Sequence, residues 1–159
     1  MSSAGVNASD LLACVGGVEV ATDAQAKALF TELPVMAEIR ECHRLGSHQI
    51  FVVDDNFIGN KRQAKALLRK LIQWRTRTGA KMGFLTEASA NLADDPELMA
   101  LMADAGFDSV FIGIESPDES SLTECRKVHN KNRNMLLDVK KIHRSGMQVM
   151  GGFIVGFDS

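Results

Sequence analysis

Acidic and amide side chains follow three apolar segments of the sequence. The segments IFVV, FLT and FIGI each run directly into them. Carboxylate and amide oxygens accept hydrogen bonds from ammonium and hydroxyl groups, and they also bind divalent cations. Their recurrence predicts a ligand-binding edge, with helix N-capping as the structural alternative. The side chains concerned are Asp54, Asp55, Asn56, Glu87, Glu115 and Ser116.

A repeated helix–glycine–strand pattern must position these side chains. Near-continuous apolar strands that alternate with amphipathic helices predict a four-strand parallel sheet covered by helices. In such sheets ligands bind at the carboxyl ends of the strands. Before this pattern, LLACVGGVEVA predicts a strand and residues 23–31 a short helix. The repeated helices are expected at 34–45, 61–78, 95–105 and 132–145, and the strands at 49–54, 82–87, 109–115 and 148–155.

Composition excludes several classes of protein. The chain has 159 residues, 45% apolar content and a formal net charge of −2, which gives no bulk attraction to nucleic acid or an anionic membrane. No apolar run approaches the roughly 18 residues of a membrane helix, and the N-terminus lacks the pattern of a secretory signal. Three widely spaced cysteines argue against a disulfide framework, so a cytoplasmic location is expected.

Three segments together resemble a known family. FVVDDNFIGN, the stretch from FLTEASAN to IGIESPDE, and GGFIVGFDS are similar in order and spacing to the core of radical S-adenosylmethionine (SAM) enzymes. The nearest branch carries an N-terminal cobalamin-binding domain and includes the hopanoid methylases. The resemblance covers residues 33–159 and leaves 1–32 unassigned. It implies an α/β fold, a partial (β/α) barrel truncated at both ends, built of parallel strands alternating with helices.

The resemblance also implies cofactors and a chemistry. In the family a CxxxCxxC loop holds a 4Fe-4S cluster, whose fourth iron binds SAM through its amino and carboxylate groups. The reduced cluster cleaves SAM to a 5′-deoxyadenosyl radical, and methyl transfer or another radical reaction follows. A full-length relative of the cobalamin-linked branch would bind cobalamin as well. The small-molecule cofactor expected for this chain is therefore SAM.

The family's cofactor-binding roles carry over to four strand ends. Residues 54–56 would accept hydrogen bonds from the amino group of SAM, and Glu87 would accept them from the ribose hydroxyls. Residues 115–116 would lie near the same cofactor, and a glycine–isoleucine–glycine motif would pack against adenine. Arg126 or Lys127 would face the methionine carboxylate. The implied cofactor-binding set is Asp54, Asp55, Asn56, Glu87, Glu115, Ser116, Gly152, Ile154 and Gly156.

The sequence departs from the family at the cluster loop. It contains no CxxxCxxC, and only Cys14 precedes the helix that should follow that loop. Cys42 falls inside a predicted helix as a small buried hydrophobe, and Cys125 is expected to follow a loop. The sixth βα unit of the family is expected to be missing after the last strand. We therefore expect a fragment without its own catalytic or metal-binding residues, inactive alone, which meets a complementing polypeptide or itself through exposed sheet edges.

Two other classes remain open from the sequence. Asp54, Glu87 and Glu115 follow consecutive strands, as the magnesium ligands do in enolase-like barrels, so a magnesium-dependent (β/α)-barrel enzyme is one alternative. That chemistry also needs a lysine or histidine base on a neighbouring strand end, and none appears there. The other alternative is a non-catalytic domain that binds a partner.

Overall fold

An open sheet alternates with helices in the computed structural model, which describes residues 13–15, 18–20, 32–127 and 130–156. A 3-10 helix spans Ala90–Asp94. The strands are β1 (Ala13–Val15), β2 (Val18–Val20), β3 (Gln49–Val52), β4 (Gly83–Glu87), β5 (Phe107–Glu115) and β6 (Gln148–Phe153). The helices are α1 (Glu32–Arg44), α2 (Lys61–Thr78), α3 (Pro96–Ala105), α4 (Glu119–Glu124) and α5 (Met135–Arg144).

The strands lie in chain order across the described part of the sheet. Strands β2 to β6 are parallel to their neighbours, and only β1 runs antiparallel, against β2. The α/β fold with parallel strands is therefore confirmed. The sheet is wider than the four strands expected, because the N-terminal apolar segment forms two short strands beside β3. The helix expected over residues 23–31 lies outside the described residues.

Local signals place the ends of α2 and α3 where the sequence predicted them. The Asn60 side chain accepts a hydrogen bond from the Gln63 amide at 3.2 Å and opens α2, and Gly79 closes it at φ 68°. Asp95 caps α3 through the Leu98 amide at 3.0 Å, and Gly106 closes that helix at φ 97°. These caps satisfy backbone groups that the helix itself leaves unpaired.

Several predicted elements have other bounds in the structure: helix α1 begins two residues earlier than expected, and β6 ends at Phe153 rather than at Val155. Strand β3 ends at Val52 rather than at Asp54, because the Asp54 carboxylate accepts a hydrogen bond from the Asn56 amide at 2.8 Å and turns the chain. Helix α5 begins at Met135 rather than at Asn132, since Asn132 has a left-handed φ of 57° and Asn134 is the cap.

Two short helices were not predicted. The 3-10 helix and α4 span five and six residues, too few for a helical period to appear in the sequence. The Asp118 carboxylate opens α4 by accepting a hydrogen bond from the Ser121 amide at 2.8 Å. Cys125 is the C-cap of α4, so the expectation that it follows a loop is wrong.

The core lies between the sheet and its helices. The helix-facing side chains of the central strands are almost completely buried, as in Phe84, Val110 and Ile112. The alternate residues of the same strands point to the opposite face, where Leu85 and Phe111 are only partly buried. Among the described helices, none combines the length and the apolarity that a membrane span requires.

Candidate functional site

Hydrogen bonds tie the carboxyl ends of the strands into one edge. The Phe57 amide after β3 donates to the Glu87 carbonyl at 3.0 Å, and the Ala88 amide after β4 donates to the Phe111 carbonyl at 2.9 Å. From the other side, the Ile154 amide after β6 donates to the Glu115 carbonyl at 2.9 Å. The predicted acceptors on β3, β4 and β5 therefore lie along the same edge of the sheet.

The turn after β3 joins two strand ends. Asn56 follows the turn made by Asp54, and its Oδ1 accepts hydrogen bonds from the Ser89 amide at 3.1 Å and from the Ser89 hydroxyl at 3.3 Å. These contacts hold the loop after β3 against the loop after β4. Asp55 is exposed, and Asp54 is partly buried. Asn56 thus has a structural role at this edge besides the ligand-binding role predicted for it.

Glu115 ends β5 in an unusual conformation. Its φ is 65°, in a region that residues other than glycine rarely adopt, and the β5–β6 register shifts between Gly113 and Glu115. The carboxylate Oε1 lies 3.0 Å from Lys127 Nζ, with side-chain exposures of 16% and 37%. A Cβ added at Gly113 would stand 2.5 Å from Glu115 Oε1, so glycine leaves the space in which this ion pair lies.

Asn130 is a residue of this edge that sequence reasoning missed. Its Nδ2 donates to the Gly113 carbonyl at 2.9 Å and to the Ile114 carbonyl at 3.3 Å. The residue is 4% exposed, and its Oδ1 is the only buried side-chain N or O atom without a hydrogen-bond partner in the described part of the chain. Nothing in the polar run NKNRN separates Asn130 from Asn132 and Asn134, so the sequence carried no signal for it.

The predicted residues of β6 lie at the same end of the sheet. The Ile154 side chain is exposed, and Gly156 has a left-handed φ of 90°. The space beside Gly152 is filled by the Phe111 ring, since a Cβ at Gly152 would stand 2.6 Å from Phe111 Cζ. Contact of this motif with adenine stays a prediction. Two cationic residues were candidates to face the methionine carboxylate. Lys127 lies at the edge, where it pairs with Glu115, whereas Arg126 is exposed.

The described residues form no site for a metal ion. Within the described residues, no three His, Cys, Asp or Glu side chains come close enough to hold a metal ion. The magnesium alternative therefore has no support from the acids at this edge. The cysteines are scattered: Cys42 is buried in α1, and the Cys125 thiol donates to the Leu122 carbonyl at 3.7 Å in α4.

A parallel sheet with helices on one face and acceptors along its carboxyl edge defines a protein of the open (β/α)-barrel class. The chain belongs to the radical SAM superfamily, whose family model matches residues 31–159. It is 46% identical over 125 residues to an uncharacterized methyltransferase of Synechocystis, covering 78% of this chain. It is 40% identical over 131 residues to the hopanoid C-2 methylase of Rhodopseudomonas palustris, covering 82% of this chain.

Solved structures agree on the fold. The radical SAM methyltransferase TsrM of Kitasatospora setae, with cobalamin and a 4Fe-4S cluster bound, matches at TM-score 0.65 and 19% identity over 79% of this chain and 25% of its own. OxsB, a cobalamin-dependent SAM radical enzyme with aqua-cobalamin bound, matches at TM-score 0.60 and 19% identity over 77% of this chain and 19% of its own. The predicted fold is thereby confirmed.

The chain covers only part of the length of these relatives. The chain spans 23% of the Synechocystis methyltransferase and 24% of the hopanoid C-2 methylase. The cofactors expected from the resemblance occur in these proteins: the superfamily is named for SAM, TsrM carries cobalamin and a 4Fe-4S cluster, and OxsB carries aqua-cobalamin.

Proposed function

We propose that residues 33–159 are the SAM-binding wall of a radical SAM protein whose whole form carries out methyl transfer or another radical reaction. The observation that supports this most is the shared edge, where the carboxyl ends of β3, β4 and β5, which carry the acceptors, lie side by side. Under this proposal the edge takes SAM, a cation with amine and hydroxyl donors. Residues 1–32 remain outside this assignment.

Two parts of SAM, its ammonium group and its ribose, have candidate partners at the edge. Asp54 and Asp55 offer carboxylate oxygens to the ammonium group, and Glu87 offers two to the ribose hydroxyls. Glu115 and Ser116 lie one strand further along. When SAM is bound beside a reduced cluster it supplies a 5′-deoxyadenosyl radical. The residues of this chain bind and orient the cofactor.

The described residues do not fit a 4Fe-4S cluster. Three thiolates on one short loop are required, whereas Cys42 is buried in α1 and Cys125 ends α4. Cys14 lies in β1, on yet another element. No step of the reaction is therefore assigned to this chain alone.

Anaerobic reconstitution with iron and sulfide is expected to leave this chain without a stable cluster. The reason is the separation of its cysteines over three elements. Iron and sulfide content together with the absorbance near 400 nm check this after gel filtration. A stoichiometric, reducible cluster accompanied by cleavage of SAM would contradict the assignment.

Glu87→Gln is expected to weaken SAM binding about tenfold, since it removes a charge-assisted acceptor for the ribose hydroxyls. Isothermal titration calorimetry of the full chain with SAM measures the dissociation constant. Asp104→Asn is the matched control, because Asp104 is an exposed acid near the end of α3, remote in sequence from every strand exit. The proposal fails if wild type binds no SAM, or if both variants bind as wild type does.

A partner-binding role is supported by a different observation. Large apolar side chains are exposed on β6, on the segment after it and on α5, where a further element could cover them. This surface favours association with a complementing polypeptide or with a second copy of the chain. The exposed residues are Leu136, Leu137, Met150, Phe153, Ile154 and Val155.

A further inference from the structure

The amide of Asn130 holds an irregular strand end. In a regular strand consecutive carbonyls point in opposite directions, so one donor does not reach both. Asn130 Nδ2 reaches the carbonyls of Gly113 and Ile114, at 2.9 and 3.3 Å. This is where the β5–β6 register shifts. The side chain therefore fixes the bulge at the carboxyl end of β5.

The bulge in turn sets the direction of Glu115. The residue takes its left-handed φ of 65° directly after the two carbonyls that Asn130 binds. In this conformation the Glu115 carboxylate folds back over Gly113 and pairs with Lys127 at 3.0 Å. Such a backbone conformation is costly for a residue with a side chain and persists only where its surroundings impose it.

The Oδ1 atom of the same amide is buried without a hydrogen-bond partner among the described residues. The two carbonyls require Nδ2 on their side, so Oδ1 must face the opposite way. No donor in the described part of the chain reaches that oxygen, although the residue is buried. An unpaired buried acceptor disfavours folding, and the two hydrogen bonds that Nδ2 donates to β5 offset that cost.

We propose that Asn130 is a positioning residue of the SAM site, which holds the end of β5 so that the Glu115 carboxylate faces the ligand. This inference rests on the proposed function, and Asn130 acts through Glu115. Asn130 follows α4 and belongs to none of the sequence motifs described above.

Amide hydrogen exchange, followed by NMR, tests the positioning without any ligand. In Asn130→Ala the amides of Ile154 and Ser116 are expected to exchange about tenfold faster, since they donate to the Glu115 and Ile114 carbonyls. The Ala88 amide, bonded to Phe111 earlier on β5, is expected to keep its rate. Asn130→Asp, equal in size but with an oxygen in place of the donor, is expected to accelerate the same two amides at least as much, because its carboxylate would also repel both carbonyl oxygens.

Asn134→Ala is the matched control for stability. It removes the cap of α5, an Asn side chain that accepts from the Leu137 amide at 3.1 Å, without touching β5. Its exchange rates at Ile154 and Ser116 are expected to change no more than those of Ala88. Equal acceleration of all three amides in Asn130→Ala and Asn130→Asp, or no acceleration at all, would overturn the positioning role.

A double-mutant cycle on SAM binding tests the path through Glu115. Asn130→Ala and Glu115→Gln are each expected to weaken binding about tenfold, and the double variant is expected to bind no more weakly than Glu115→Gln alone. An additive, roughly hundredfold loss would show that Asn130 acts independently of Glu115. If the wild-type chain binds no SAM, the proposed function fails, while the exchange rates still decide whether Asn130 sets the end of β5.

Discussion

Phe84→Ala is expected to lower the free energy of unfolding by about 3–5 kcal/mol. Phe84 is completely buried in β4, and its ring lies 5.4 Å from the Phe107 ring, centroid to centroid. The Arg75 guanidinium covers the same ring at 6.0 Å. Truncation loses the transfer energy of the ring and leaves a cavity at the centre of the sheet. Since domains are stable by only about 5–15 kcal/mol, this change brings the protein close to unfolding.

Urea denaturation followed by far-ultraviolet circular dichroism measures this loss. Phe153→Ala is the matched control, because Phe153 lies in β6 with 61% of its surface exposed. Its removal is expected to change the free energy of unfolding by about 0.5 kcal/mol or less. A loss below about 1 kcal/mol for Phe84→Ala would mean that the core is not centred on β4.

Arg133→Met is expected to cost about 2–3 kcal/mol of stability, less than for a fully buried pair because Arg133 is partly exposed. Its guanidinium binds both carboxylate oxygens of Asp94, at 2.8 and 2.9 Å, and Nε binds Asp138 at 2.9 Å. Nη2 also donates to the Ala90 carbonyl at 3.2 Å. The variant leaves the buried Asp138 carboxylate without its nearest cation and removes the hydrogen-bonded link from α5 to the 3-10 helix.

The pH dependence of this loss has a definite sign. The hydrogen bond from Arg133 lowers the pKa of Asp94 below its ordinary value, and burial offsets this only in part. A carboxyl group with a lowered folded-state pKa stabilises the fold above its unfolded-state pKa, and this contribution is lost as the pH falls through the lowered value. The difference between wild type and Arg133→Met is therefore expected to be full at pH 7 and to shrink below about pH 4.

Thermal unfolding of the two proteins between pH 3 and pH 7 checks both the size and the sign. Arg62→Met is the control, because Arg62 is exposed on α2. It is expected to change stability by about 0.5 kcal/mol or less. A stability difference for Arg133→Met that does not vary with pH would show that the Arg133–Asp94 ion pair does not contribute to it.

The repeated elements of the fold were predictable because their signals are local. Asn60, Asp95 and the glycines at 79 and 106 mark helix ends through contacts within about one turn, so they act the same way in any sheet. The boundary of β3 was wrong because an aspartate turn replaced the last two strand residues. The short helix α4 was missed because six residues carry no measurable period.

The sequence predicted which strand ends carry the acceptors of the candidate site. Parallel strands that end in acids must bring them to one edge, and the hydrogen bonds around Glu87 and Glu115 show that edge. The contacts that these residues make with other parts of the chain were not predictable. Asn56 binds Ser89 across 33 positions, and the space beside Gly152 is filled by Phe111 rather than left open.

The amino-acid sequence by itself determined the order of helices and strands, the end of the sheet that carries acceptors, and the absence of a CxxxCxxC loop. Only the tertiary structure decided that Asn130 reaches β5 across 17 positions and that Arg133 reaches Asp94 across 39. The physical reason is the distance along the chain over which each kind of interaction acts. Periodicity and capping act between neighbours in the chain, whereas these contacts depend on how each βα crossover returns to the sheet.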